Sequence, residues 1–401
     1  MKRKDNNNEK APFKLERGSK RQKAAYRVTK NQIKEPMKNI KAECPWNLVP
    51  KEGDPNNKGR KYTVSVAIPG SVIEIAQSAE LRTYLAGEIA RAVTIFEVDE
   101  VIIYNEDPTR TMENTTSGVY EGSNKPSDPN IFLARILQYL ETPSYLRKLL
   151  FPVHKDLQYT GLLNPLDAPH HMRLDETSLY REGVTIDKPV KHGAGSFVTC
   201  GLRKDVKIDK HIKPGVRVTV ELDLDLIQSG DNVKNYKGKV VSPRQPREKH
   251  GLYWGYQIRL AKSISDVFKQ SSFGSKANYD LTIGISDHGD NAYTTCSKLL
   301  SSKNNDDSND NDDDDDDNDD IKNNIPSTFN HLLIVFGGQG GIENAVEVDE
   351  NIKINRNDTR SLFDLYLNTC PYKGSRAIRL EEQILITMST LKTLIQQKGA
   401  N

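Results

Sequence analysis

Three short stretches set glycine and small polar residues directly after apolar runs: "GISDHGD" (284–290), "FGGQGG" (336–341) and "NTCPYKGS" (368–375). Glycine-rich turns after strands offer backbone N–H and C=O groups to a ligand, and phosphate is the first candidate. A Walker loop would need Gly-Lys-Ser/Thr, yet Gly341 is followed by Ile342 and Glu343; a dinucleotide fingerprint starting at Gly338 would need glycine at position 343. The Glu343 carboxylate would also repel a phosphate. A single loop of this kind could be no more than a turn. Three of them at strand ends make a pocket lined mainly by backbone, suited to a ligand with a flat base and a compact charged tail, of which adenosylmethionine is one.

Parallel strands are the elements that could bring such loops together. "KYTVSVAIPG" reads as a strand, "IEIAQSAELRTYLAGEIARAVTIF" as a helix with Leu81, Leu85, Ile89 and Val93 in one stripe, and "VDEVIIYNED" as a second strand. Strand, helix, strand in that order points to a parallel sheet, whose ligands gather at the C-terminal strand ends. "DPNIFLARILQYLETPSYLRKLLFP" adds a helix broken at Pro143. From about Thr177 to Lys262 short strands punctuated by Gly and Pro take over, which predicts an inserted five-stranded barrel of the oligonucleotide-binding type. The α/β pattern resumes with "YDLTIGISDHGD", "HLLIVFGGQGG" and "LFDLYLN", and "LEEQILITMSTLKTLIQQ" closes the chain as a helix with Ile384, Leu385, Met388, Leu391 and Leu394 on one side. The expected plan is an α/β domain at 62–175 and 263–401, discontinuous around a barrel at 176–262.

Charge sets the class of partner. The 401 residues carry a net charge of only +2, but residues 1–60 hold 17 Lys or Arg against 7 Asp or Glu, whereas 306–320 hold eleven Asp. The arm at 1–61 suits nuclear import or contact with a polyanion, and the acidic stretch at about 301–325 reads as a solvated insert. No apolar run reaches the roughly 18 residues of a membrane span, and no secretory signal is present, so a cytosolic or nuclear home without membrane contact is expected. Cys44, Cys200, Cys296 and Cys370 are too scattered for a disulfide framework or a zinc site, and the doublet His170, His171 has no spaced partners, so no metal is expected.

"HLLIVFGGQGGIE" followed by "LFDLYLNTCPYKGSRAIRLEEQILI" resembles the C-terminal signature of the SPOUT, or α/β-knot, methyltransferases. "SVAIPGS", "AQSAELRTYLAGEIARA", "ARILQYLETPSYLRK", "GLLNPLDAPHHMR" and "GLYWGYQIRLA" extend the likeness to the eukaryotic group that carries an inserted barrel, one member of which is centromere- and spindle-associated. The likeness covers about 62–396. It implies a trefoil-knotted domain binding S-adenosylmethionine through the loop after Ile283, Gly337, Gly338, Gly341, Asn368, Thr369 and Cys370, with Ser375 and Ile378 closing the pocket. It also implies a homodimer, with the apolar side of the closing helix across the two-fold axis. Two positions depart from the pattern: Ser286-Asp287-His288-Gly289 stands where relatives usually show Ser-Glu-Arg-Gly, and Gly340 is an extra glycine. His288 would thus replace a guanidinium at the cofactor.

In "SPRQPREKHGLYWGYQIRLA" the residues Arg244, Arg247, Lys249, Tyr253 and Arg259 combine cations with an aromatic, the mixture that tracks phosphates and stacks bases. Trp254 and Tyr256 fall on one face and are expected in the barrel core, leaving Tyr253 exposed. "GSRAIRLEE" resembles the run in bacterial rRNA uridine-N3 methyltransferases, which implies methylation of uridine N3 in ribosomal RNA, in the nucleus or nucleolus. A cation near N3 would favour its deprotonated form, and Arg376 and Arg379 are the candidates, unless they pair with Glu381 or Glu382. The competing reading is a non-catalytic RNA-binding or spindle-associated scaffold that keeps the knot.

Overall fold

The computed structural model describes residues 58–107, 128–190, 195–228, 234–269, 272–273, 279–301 and 325–400; almost all of the basic arm and the acidic insert lie outside them. The strands are β1 (Thr63–Pro69), β2 (Glu100–Tyr104), β3 (Tyr180–Ile186), β4 (Phe197–Thr199), β5 (Val206–Lys207), β6 (Arg217–Leu222), β7 (Tyr236–Val241), β8 (Gln257–Ala261), β9 (Leu281–Asn291), β10 (His331–Phe336) and β11 (Leu365–Asn368). Among the described residues the helices are α1 (Ala79–Ile95), α2 (Pro129–Glu141), α3 (Ser144–Leu150), α4 (Leu224–Gln228), α5 (Gln245–His250), α6 (Ile264–Lys269), α7 (Ala292–Ser301), α8 (Gly341–Val348) and α9 (Leu380–Lys398).

Six strands form one parallel sheet in the order β11-β9-β10-β1-β2-β8. Both faces are covered, which is why β1 and β2 are buried at every residue rather than at alternate ones. Val66 and Ile68 point into a core with Ile89 and Val93 of α1, Leu133 and Ile136 of α2, Cys296 of α7 and Ile384 and Met388 of α9. Ala67 points the other way, toward Ile264 and Val267 of α6 and Ile342 and Val346 of α8. Helix starts are set locally: Ser78 accepts from the Leu81 N–H at 3.2 Å, and Asp128 accepts from the Asn130 N–H at 2.8 Å with Pro129 in the first turn.

The inserted barrel is present and closed, in the order β3-β4-β5-β7-β6, with β5 and β7 parallel and the other pairings antiparallel. Val198, Val206, Val220 and Tyr236 fill it. It ends at Val241, earlier than expected. The segment "GLYWGYQIRLA" is not a barrel strand: β8 pairs in parallel with β2 as the edge of the main sheet. The two tyrosines ahead of it explain this, because each is anchored in the α/β body, while Trp254 reaches back to barrel strand β3. Tyr253 donates its hydroxyl to the Val98 carbonyl, Tyr256 to that of Leu137, both at 2.9 Å, and Trp254 Nε1 donates to Glu182 at 2.6 Å. Tyr253, expected to be exposed, is 4% exposed; Tyr256 belongs to the α/β core.

Two further expectations change. The apolar side of α9 is covered within the single chain by α1, α7 and the sheet, so Ile384, Met388, Leu391 and Leu394 are not available to a two-fold axis, and Leu385 lies outside that buried stripe. Arg60, assigned to the basic arm, is buried and donates twice to Asp99, each at 2.8 Å. Replacing Tyr253 with Phe is expected to lower unfolding stability by about 1 kcal/mol through loss of one buried hydrogen bond, leaving RNA affinity unchanged, as chemical denaturation and a binding titration will show.

Candidate active site

All strands of a parallel sheet end on the same edge, so the segments after β1, β2, β9, β10 and β11 share one rim. The glycine turn follows β10. The Gly341 N–H donates to the Gly338 carbonyl at 3.1 Å, closing a four-residue turn, and Gly341 has φ +78°, a conformation that suits glycine. A Cβ on Gly337 would stand 2.3 Å from the Ile342 nitrogen. A Cβ on Gly338 would stand 2.4 Å from the carboxylate of Glu106, which follows β2.

The segment expected as a loop after Ile283 continues as β9, but its ladder with β11 breaks. Tyr366 pairs with Gly284 and the next residue, Leu367, with Asp290, so five residues, 285–289, loop out of register. This excursion touches both other loops. Asn368 Nδ2 donates to the Asp287 carbonyl at 2.9 Å and Lys373 reaches the Asp287 carboxylate at 2.5 Å. Ser286 and His288 donate to Oε1 of Glu343 in α8, His288 through Nδ1 at 2.9 Å, and Tyr366 of β11 donates to the same oxygen at 2.6 Å. A carboxylate only accepts, so His288 carries its proton on Nδ1 here. Burial acts to raise the Glu343 pKa, but the Ser286 and Tyr366 hydroxyls, its backbone N–H and His288 outweigh it and hold the group below the usual glutamate value.

The remaining expected residues sit on the third loop. Asn368 Oδ1 caps the Cys370 N–H at 3.0 Å, Thr369 is buried and shares a 2.9 Å hydrogen bond with Thr387 of α9, and Ser375 donates to the Ala377 carbonyl at 2.8 Å. Ile378 is half-buried just ahead of α9. Arg376 and Arg379 are exposed. The Arg379 main chain is capped by Glu382 at 3.0 Å, and neither guanidinium forms an ion pair within 4 Å among the described residues, so the pairing with Glu381 or Glu382 considered from the sequence is not made.

Residues 63–391 match the family model described as "Putative RNA methyltransferase". The chain is 48% identical over 345 residues to a mouse protein named 28S rRNA (uridine-N(3))-methyltransferase, covering 86% of this chain and 80% of that one. It is 47% identical over 344 residues to a human protein of the same name, covering 86% and 81%, and 40% identical over 375 residues to one from Drosophila melanogaster, covering 92% and 70%. The chain belongs to this RNA methyltransferase family. Its α/β domain with an inserted barrel is the architecture expected from the family resemblance.

The methyltransferase spends most of its expected RNA contacts on its own architecture. Arg247, 5% exposed, donates to the Lys61 and Tyr62 carbonyls; Arg244 donates to those of Ser272 and Phe273 and stacks on the Phe273 ring; Arg259 pairs with the buried Glu100 at 3.1 Å. They line the N-terminal side of the sheet, opposite the glycine turn. Of the five, Lys249 alone is exposed, Tyr253 being buried as described. His170 and His171 both direct Nε2 at the Glu141 carbonyl, at 2.9 and 2.6 Å, and burial lowers the His171 pKa to about 3. Two site groups escaped the sequence: Glu106, although the end of a parallel strand was the signal, and Glu343, which was weighed only as a repellent for phosphate.

Because the Glu343 pKa is depressed, its contribution to stability is complete above the ordinary value of 4.5 and disappears as the pH falls through the lower folded value. Glu343→Gln is therefore expected to melt below wild type at neutral pH, with the two melting temperatures converging in acid; a gap independent of pH would contradict the assignment.

Proposed function

We propose that the protein transfers a methyl group from S-adenosylmethionine to N3 of a uridine in large-subunit ribosomal RNA. The observation that carries this is the convergence of the three small-residue loops on one sheet rim, in a chain at 40–48% identity to proteins named for that reaction. In this reading the glycine turn and the loops at 285–289 and 368–378 cradle the cofactor, as in the knotted pocket the resemblance implies, with His288 held by Glu343 rather than free to take the place of an arginine. The glycine turn suits close approach of such a ligand, since glycines at 337, 338, 340 and 341 carry no side chains of their own. Direct transfer needs alignment and a way to handle the N3 proton. Arg376, exposed and without an ion-pair partner among the described residues, is available to the RNA. The scaffold reading has no observation in its favour.

The barrel supplies a second arm of the argument. Its strand order, with β5 and β7 closing the ring in parallel, matches oligonucleotide-binding barrels. Along β5 and β7 side chains alternate: Val206 and Tyr236 point in, and Lys207 and Lys237 stand exposed side by side as register partners, with Lys239 next on the same side. Like charges opposite each other cost energy that a bound phosphate chain removes. These lysines replace the arginines expected from the sequence as the RNA grip, and the basic arm suits nuclear import.

Mass spectrometry of ribosomal RNA nucleosides from cells lacking the protein is expected to show loss of one N3-methyluridine, restored by wild type; an unchanged profile would remove the assigned substrate. Replacing Lys207 and Lys237 together with Ala is expected to weaken RNA binding and reduce the slope of log affinity against log salt by about 1 to 2, with cofactor affinity preserved.

A further inference from the structure

Glu106 stands on the sheet rim directly against the glycine turn. It follows β2 on the rim, half-buried, and its Oε1 accepts from the Gly338 N–H at 3.1 Å while Oε2 accepts from the Ser71 hydroxyl after β1. Gly338 is the glycine that a side chain would drive into this carboxylate, so the turn approaches Glu106 as closely as backbone can. Each oxygen has taken one donor, and a carboxylate can take about four. Among the described residues, two acceptor positions therefore remain beside the glycine turn, on a residue that is still partly open.

Resting on the uridine-N3 reading above, we propose that Glu106 is the catalytic base: its free acceptor positions receive the N3–H of the target uridine and take that proton as the methyl is transferred. The balance closes without a further reactant. The N3–H bond breaks and its proton goes to the Glu106 carboxylate; the N3 electron pair forms the new bond to the methyl carbon; the electron pair of the breaking carbon–sulfur bond stays on sulfur. A sulfonium and a carboxylate become a thioether and a carboxylic acid, and the loss of two opposite charges is favoured where water is scarce. Burial raises the Glu106 pKa above the usual glutamate value, with the Ser71 and Gly338 bonds opposing, which makes the group a better proton acceptor. The same geometry selects the base, because uridine presents a donor at N3 and cytidine an acceptor, which a carboxylate rejects.

The test is single-turnover methylation of ribosomal RNA purified from cells lacking the protein, using full-length wild type, Glu106→Gln and Glu106→Asp, with adenosylmethionine affinity measured by calorimetry. In Glu106→Gln the amide oxygen can still accept from the Gly338 N–H while the NH2 donates to the Ser71 hydroxyl oxygen, so cofactor affinity is expected to stay at the wild-type value. Its rate at neutral pH is expected to fall about 100-fold or more. The deficit should shrink as the pH rises and the uridine ionises unaided, and Glu106→Asp should recover part of the rate. Wild-type speed in Glu106→Gln, a deficit that does not change with pH, or loss of cofactor affinity together with rate would overturn the proposal and leave Glu106 as a brace. Wild type that forms no N3-methyluridine would instead defeat the reading on which the proposal rests.

Discussion

Three donors from two separate strands converge on one oxygen of Glu343, and the rim of the sheet depends on that convergence. Ser286 and His288 come from the excursion in β9, Tyr366 from β11, and the carboxylate itself from the first turn of α8, directly after the glycine turn. An acid in the first turn of a helix is favoured by the helix dipole. The excursion has no β11 partners over residues 285–289, and β10 pairs only with its first residue, Ile285, so these side-chain bonds, with those to Asp287, help to give it a defined path. Burial, and then the bond to Glu343, push the Tyr366 phenol well above its usual range, which favours its role as a donor.

Much of the α/β plan was legible because parallel strands buried on both faces and amphipathic helices leave strong periodic signals. β1, α1, β2, β10 and α9 all lie where apolar runs and spacing place them, and Pro143 does separate α2 from α3. "GLYWGYQIRLA" was misassigned for a physical reason: strand-forming residues state that a segment is extended, not which sheet it joins. What decided the sheet was the reach of the hydroxyls of Tyr253 and Tyr256 to carbonyls near α1 and α2, contacts more than a hundred residues away in the chain.

The site was half legible. Glycines at 337, 338 and 341 and the small residues after β11 announce backbone packed too closely for side chains, and the structure gives each of those glycines a specific crowding or a positive φ. Charged residues were harder, because an arginine written in a sequence carries no sign of whether its guanidinium will face water. Arg244, Arg247 and Arg259 satisfy carbonyls and carboxylates of the protein, while the lysines of β5 and β7, unremarkable in sequence, stand in solvent. Lysine keeps its charge in water at the end of a flexible stem, whereas the planar guanidinium suits buried, multiply bonded positions.

The barrel is joined to the α/β body by ions rather than by a hinge. Arg217 of β6 donates with both terminal nitrogens to Glu141 at the end of α2, at 2.6 and 2.9 Å, and with Nε to Glu182 of β3 at 2.7 Å, while Glu182 also holds Trp254 and Thr219. Breaking one partner of such a buried cluster strands the other charges, so the barrel has little freedom to swing. A clamp of this stiffness works as a ruler. On the proposed reading that the barrel grips phosphates, the span from its lysines to the rim fixes how far along a folded RNA the modified uridine must lie, and the choice of nucleotide becomes partly a matter of distance.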